Sequence, residues 1–129
     1  MIVHDLNPDD VATFTQVDLA SLDHEPESPI GQFSFHDCIC GVAAFSGTLP
    51  WEHHSAGDEL LFVLTGESEL TVLEDSGPVS RTLAAGRLVI VPQGRWHSNN
   101  APDGVTFLYL TPREGNEHSC DDPRTERSS

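Results

Sequence analysis

Apolar positions along this chain come in short runs, cut apart by Gly, Pro, Asn and Asp. The runs FSF (33–35), CICGVAAF (38–45), ELLFVLT (59–65), SELTVLE (68–74), RLVIVP (87–92) and VTFLYLT (105–111) are rich in β-branched and aromatic residues. Such runs are predicted strands, because those side chains fit a pleated surface. LLFVL and LVIV are continuous rather than alternating, which is the pattern of a strand covered on both faces. Turn signals separate the runs: SGT at 46–48, TGES at 65–68, EDSGP at 74–78, AAG at 84–86, PQG at 92–94 and APDG at 101–104. Short strands at this spacing predict an all-β domain, a sandwich or a barrel.

The two ends read differently from the middle. Residues 1–30 form a predicted N-terminal arm, with one strand expected around Thr13 to Leu19 and then an acidic, Pro-containing loop. The arm is expected to pair with a sheet edge or with a second subunit. Residues 31–111 form the predicted all-β domain, which the resemblance named below implies is the barrel. Residues 112–129, PREGNEHSCDDPRTERSS, are polar and broken by proline, so they are expected to be a mostly irregular tail.

Composition narrows the function classes. At 129 residues the chain suits one domain with one core, and 37% hydrophobic content is ordinary for a soluble protein. The net charge of −15, from 21 acids against 6 bases, argues against nucleic acid, whose phosphates require clustered Lys and Arg. It also disfavours anionic membrane surfaces. No apolar run approaches the ~20 residues of a membrane helix. The N-terminal residues show no basic flank and no long apolar region, so the expected location is cytoplasmic. Three cysteines, Cys38, Cys40 and Cys120, make an odd number that speaks against a disulfide framework. Cys38 and Cys40 share a strand face and are expected to pack in apolar surroundings; no second Cys or His pair stands at zinc-site spacing from them.

The stretch PWEHHSAGDE (50–59) sets two adjacent histidines between two glutamates. On a strand, residues two apart point to the same side, so His53 and His54 face opposite ways and only one looks inward. A polar pair at i and i+2, a short loop, and an acid opening the next strand can converge, and a histidine from a distant hairpin can complete the set. A mixed His/carboxylate set suits Fe(II), Mn(II), Zn(II) or Ni(II) and leaves positions open for substrate or dioxygen.

Two segments, Gly47–Gly66 and Gly86–Asn100, resemble the cupin superfamily. Its second motif, G-x5-P-x-G-x2-H-x3-N, is matched by Gly86, Pro92, Gly94 and His97, with the closing Asn one or two places early at Asn99 or Asn100. Its first, G-x5-H-x-H-x3or4-E-x6-G, is matched at its end by Glu59 and Gly66. The opening departs from the pattern and admits two registers. One starts from Gly47 and uses His53, with Ser55 in the second position. The other uses Glu52 and His54, with four residues separating His54 from Glu59, and is shorter by one from Gly47. The second is preferred, because Glu is a competent ligand for a divalent metal and Ser is a poor one.

The resemblance implies a cupin-type antiparallel double-sheet (jelly-roll) barrel that binds a divalent metal ion (Fe, Mn, Ni or Zn) through Glu52, His54, Glu59 and His97. Glu52 is also open to a supporting role, as an acid beside the metal or a general base. His53 would face outward or support a ligand. Gly66, Gly86, Pro92 and Gly94 would be architectural. Trp51 and Trp96 would pack at the rim or line the mouth of the pocket. Arg95 would pair with surface acids or steer an anionic substrate. His36 and His118 lie outside both motifs. The implied activities are dioxygen-dependent oxidation, sugar isomerisation or decarboxylation of a small molecule. The competing class is a non-catalytic small-molecule-binding module. Small barrels of this kind commonly pair through their edges, so a homodimer is expected.

Overall fold

A computed structural model describes Met1, residues 13–14, 33–119 and 121–126. These residues form nine strands: β1 (Thr13–Phe14), β2 (Phe33–Phe35), β3 (Cys38–Thr48), β4 (Trp51–His54), β5 (Glu59–Glu74), β6 (Gly77–Ala84), β7 (Leu88–Val91), β8 (His97–Pro112) and β9 (Asn116–Ser119). One helical turn, α1 (Pro123–Glu126), follows. The all-β expectation holds. The strands join one curled sheet, antiparallel except where β1 runs parallel to β3. Most of the predicted arm, including Thr13–Leu19 beyond Phe14, lies outside the described residues, as does Cys120.

The two long strands β5 and β8 organise the sheet. They pair with each other from Leu60↔Leu110 to Val72↔His97. The first half of β5 also pairs with β7, and its second half with β6. β3 and β4 pair with the other edge of β8. Sequence pattern predicted two strands with a turn at 65–68; the structure keeps one. Register shifts between Val63/Thr65 and Gly66/Glu69 insert bulges instead. The bulges reverse the parity of β5: Leu61 and Val63 are buried before them, Leu70 and Val72 after them. Gly66 makes this possible. Its φ is +79°, and a Cβ there would lie 2.3 Å from the Gly104 carbonyl oxygen. The expected turn at 101–104 is likewise absorbed within β8.

Two strands carry almost no hydrophobic signal and escaped the sequence reading. β6 buries only Leu83 and is held by its ladder with β5. β9 lies in the segment expected to be irregular, yet its four residues pair with all of β4, from Trp51↔Ser119 to His54↔Asn116. The core enclosed by the sheet includes Phe45, Leu61, Val63, Leu70, Val72, Val91 and Phe107. Phe45 and Phe107 meet at 5.3 Å between ring centroids. Cys40 is buried on β3, and burial pushes its thiol pKa up, with Cys38 adding to the effect.

Candidate metal centre

At one end of this core, polar side chains replace apolar ones. β4 alternates, so Glu52 and His54 point to one side and His53 to the other. β4 lies along the start of β8, with Glu52 opposite His97. Glu59 opens β5 on its inward parity. The four-residue loop between β4 and β5 is tied to the loop preceding β8. Gly94 N donates to His54 O at 2.9 Å, and Gln93 N to Asp58 Oδ1 at 2.8 Å. Gln93 Nε2 donates to Ser55 O at 2.7 Å. Gly94 takes φ +78°, which sets the turn that delivers His97.

The structure thus brings together the four side chains expected to hold a metal. One ligand atom from each of Glu52, His54, Glu59 and His97 lies within 4.8 Å of all the others. His54, Glu59 and His97 are buried, and the Glu52 side chain is 28% exposed. His97 Nε2 is 3.0 Å from Glu59 Oε1 and 3.4 Å from Glu52 Oε2. His54 Nε2 is 3.2 Å from Glu59 Oε2 and 3.6 Å from Glu52 Oε2. Thr111 Oγ1 donates to Glu59 Oε2, the oxygen that also faces His54.

These spacings suit a metal. Donors about 2.1 Å from an ion stand about 3.0 Å apart at right angles and about 3.4 Å apart at the tetrahedral angle. The donor chemistry suits one as well. Two imidazoles and two carboxylates, with no thiolate, match Fe(II), Mn(II), Ni(II) or Zn(II). Among the described residues, two buried side-chain nitrogens have no hydrogen-bond partner, His53 Nδ1 and His54 Nε2. The second points into the cluster. It faces Glu59 Oε2 at 3.2 Å as an ion-pair contact without hydrogen-bond alignment, so once its proton is lost this nitrogen presents its lone pair to the cluster.

Electrostatics say the same in another form. Burial opposes charge on every one of these groups. On Glu52 it is outweighed by the close imidazoles of His118, His54 and His97, which hold the carboxyl well below its usual range. On Glu59 it is outweighed by His54 and His97, despite the neighbouring Glu52 charge, so this pKa is also lowered. Burial would lower His54 and His97, but the adjacent carboxylates of Glu52 and Glu59 raise them to about 10 and about 9. Two anionic carboxylates with two imidazolium rings carry no net charge. The same carboxylates with two neutral imidazoles and one dication carry none either. The site is therefore electrically balanced by two protons or by one divalent ion.

Other residues take simpler places. His53 packs against Trp96 with tilted rings, 5.0 Å between centroids, and is not one of the four clustered side chains. His36 is exposed in the turn between β2 and β3, with φ +52°. Arg95 pairs with Asp75 at 2.7 Å, so its charge is engaged at the surface. Sequence reasoning missed three partners. Thr111 supports Glu59. Asn116 Oδ1 lies 2.8 Å from His54 Nδ1. His118 Nε2 lies 3.3 Å from Glu52 Oε1 and is half exposed. Asn116 and His118 stand two apart on β9; only that spacing, in a segment without apolar residues, could have signalled them.

A family model for the cupin domain matches residues 43–111. Among solved structures, the chain is similar to a cupin-2 domain containing protein from Shewanella frigidimarina. The two share 23% identity at a TM-score of 0.55, over 63% of this chain and 76% of that one. A Neisseria meningitidis protein is similar at 21% identity and a TM-score of 0.55, over 73% of this chain and 91% of that one. A hydroquinone 1,2-dioxygenase, solved in complex with Cd2+ and 4-hydroxybenzonitrile, is similar at 17% identity and a TM-score of 0.55. There the match covers 64% of this chain and 61% of that one. At these identities the likeness is one of fold. No curated protein matches the chain.

Proposed function

The chain belongs to the cupin-domain family, and from that premise we propose that it holds one divalent metal ion through Glu52, His54, Glu59 and His97 and acts with it on a small molecule. The observation that carries this reading is the convergence of four ligand-type side chains, three of them buried, on one point. When bound, the ion supplies Lewis acidity toward a carbonyl or carboxylate oxygen, or a place for dioxygen. Glu52, His54, Glu59 and His97 would hold the ion, which would then take oxygen atoms of a substrate as further ligands.

The chain's own residues do the rest. Glu59 and His97, fixed by Thr111 and by the loop before β8, hold the deep side of the centre. Glu52 and His118 form its partly exposed side, where solvent and a ligand meet it. The apolar core beneath keeps bulk water from the deep side. We favour dioxygen-dependent oxidation or the processing of a small acid. The dioxygenase with its bound cadmium and small aromatic nitrile supports that choice only through a shared fold. A non-catalytic binding module is the second reading. It is favoured by the ion pairs that already balance the cluster without an ion.

The proposed partners are a small-molecule ligand and a second copy of the chain. On β7, Leu88 and Ile90 are 55% and 47% exposed, giving an apolar edge suited to a homodimer. Light scattering on the eluted protein should give twice the chain mass; the mass of one chain would rule the dimer out. The net charge of −15 disfavours polyanionic partners. Among the described residues no helix is long and apolar enough to cross a membrane.

Element analysis tests the metal. The purified protein, or the protein after incubation with Fe(II), Mn(II), Ni(II) or Zn(II) and desalting, should hold about one equivalent, and His97→Ala should lose it. A wild-type protein that stays metal-free after all four incubations would overturn the reading in favour of the binding module.

A further inference from the structure

β9 belongs to neither cupin motif, yet it runs antiparallel to the ligand strand β4 and sets Asn116 opposite His54. Directly opposed residues in an antiparallel pair share a sheet face, so Asn116 stands on the same side as the cluster. Gly115 lets β9 come this near. Its φ is +75°, and a Cβ there would lie 2.3 Å from Ser55 Oγ. Ser55 N donates to Gly115 O at 3.0 Å, closing the approach.

The orientation of the Asn116 amide follows from its two contacts. Nδ2 donates to Pro112 O at 2.8 Å, and a carbonyl can only accept, so this end must be the NH2 group. Oδ1 is therefore the atom 2.8 Å from His54 Nδ1, and it too can only accept. Nδ1 of His54 must then carry a hydrogen, in the imidazolium and in the neutral ring alike. A neutral His54 in this arrangement keeps its lone pair on Nε2, the nitrogen that faces Glu59 and lacks a partner. The opposite tautomer would place N–H in the cluster and leave two acceptors, Nδ1 and Oδ1, facing each other.

We propose that Asn116 is a positioning residue, which through Pro112 O and His54 Nδ1 locks His54 in the tautomer that can bind a metal ion. The proposal rests on the metal-binding reading above. It adds a residue from the C-terminal strand to the centre and makes β9 part of the metal site. Groups that orient a ligating histidine in this way typically contribute about 10- to 100-fold in metal affinity.

Zinc and cobalt serve as probes. Dissociation constants for Zn(II) come from competition with a chromophoric chelator, and Co(II) absorption reports the ligand field. Circular dichroism checks that each variant folds. Asn116→Leu keeps the bulk and removes the acceptor; it should weaken Zn(II) binding about 10- to 100-fold and change the Co(II) spectrum. Asn116→Asp keeps an acceptor oxygen and should stay closer to wild type than Leu. A packing role would reverse that order, with Leu tolerated and Asp not, and would overturn the proposal. An independent check needs no variant. In the zinc-loaded wild type, long-range proton–nitrogen correlation should show a slowly exchanging proton on His54 Nδ1, and its absence would overturn the proposal. The two levels of failure are distinct. If wild type binds no Zn(II), the metal reading falls and this inference with it; if wild type binds and Asn116→Leu binds equally well, only the role of Asn116 falls.

Discussion

Loading the cluster with Zn(II) at pH 7 is expected to expel close to two protons per ion. His54 and His97 are raised to about 10 and about 9, because Glu52 and Glu59 bond to their charged forms strongly enough to outweigh burial. Both rings are therefore imidazolium in the metal-free protein at neutral pH, while both carboxylates are already ionised. A ligating imidazole must be neutral, so each ring gives up one proton when the ion enters. Between pH 6 and 8, apparent affinity should then rise about 100-fold per pH unit, or about 2.7 kcal/mol, from two linked protons. The dependence should flatten as pH passes the two raised values. Calorimetric titration at pH 7 in buffers of different ionisation enthalpy measures the count directly, as the slope of observed heat against buffer heat. Fewer than about half a proton per ion would refute the reasoning. It would mean that these imidazoles are not the ligands, or that they are not the charged partners of Glu52 and Glu59.

Glu52→Ala should cut metal content sharply and His53→Ala should leave it near wild type, since only Glu52 shares the inward face with His54; element analysis of both variants decides between the two registers. Gly66→Ala should destabilise the fold by about 2–5 kcal/mol, summing the cost of a left-handed backbone and of crowding the Gly104 carbonyl, and a denaturant midpoint within error of wild type would contradict the bulge account. In the metal-free protein, the raised His54 and His97 stabilise the fold fully below pH about 6.5, and that stability is lost as pH rises through about 9 to 10. The lowered carboxylates act in the opposite sense, stabilising above pH about 4.5 and losing effect as pH falls. Melting temperature after chelator treatment should therefore peak between about pH 4.5 and 6.5 and fall toward pH 10; a flat profile from 6.5 to 10 would count against the ion pairs.

How much of this was readable in the sequence depended on how each residue reaches the site. The spacing from Gly86 through Pro92 and Gly94 to His97 is local, and the hairpin it describes is the one that delivers His97. The parity of Glu52, His53 and His54 follows from strand geometry, and the structure sets Glu52 and His54 on the cluster with His53 against Trp96. Glu59 was marked by its distance to Gly66, and that glycine shapes a bulge where the local pattern suggested a turn. A glycine with positive φ suits either feature, and only the long-range approach of Gly104 decides. β6 and β9 were hidden for a different reason. Strand prediction reads apolar alternation, and these two strands are held by backbone ladders to β5 and β4 while burying few side chains. Thr111, Asn116 and His118 support ligands more than fifty residues away in sequence, and no local pattern encodes such a contact.

The most direct measurement is a crystal structure of the protein loaded with Mn(II) or Zn(II), with anomalous difference maps collected at the metal edge. The account predicts one strong peak at the meeting point of Glu52, His54, Glu59 and His97, with both imidazole Nε2 atoms and both carboxylates about 2.0–2.3 Å away. A map with no peak there, and with His54 and His97 still paired to Glu52 and Glu59, would contradict it.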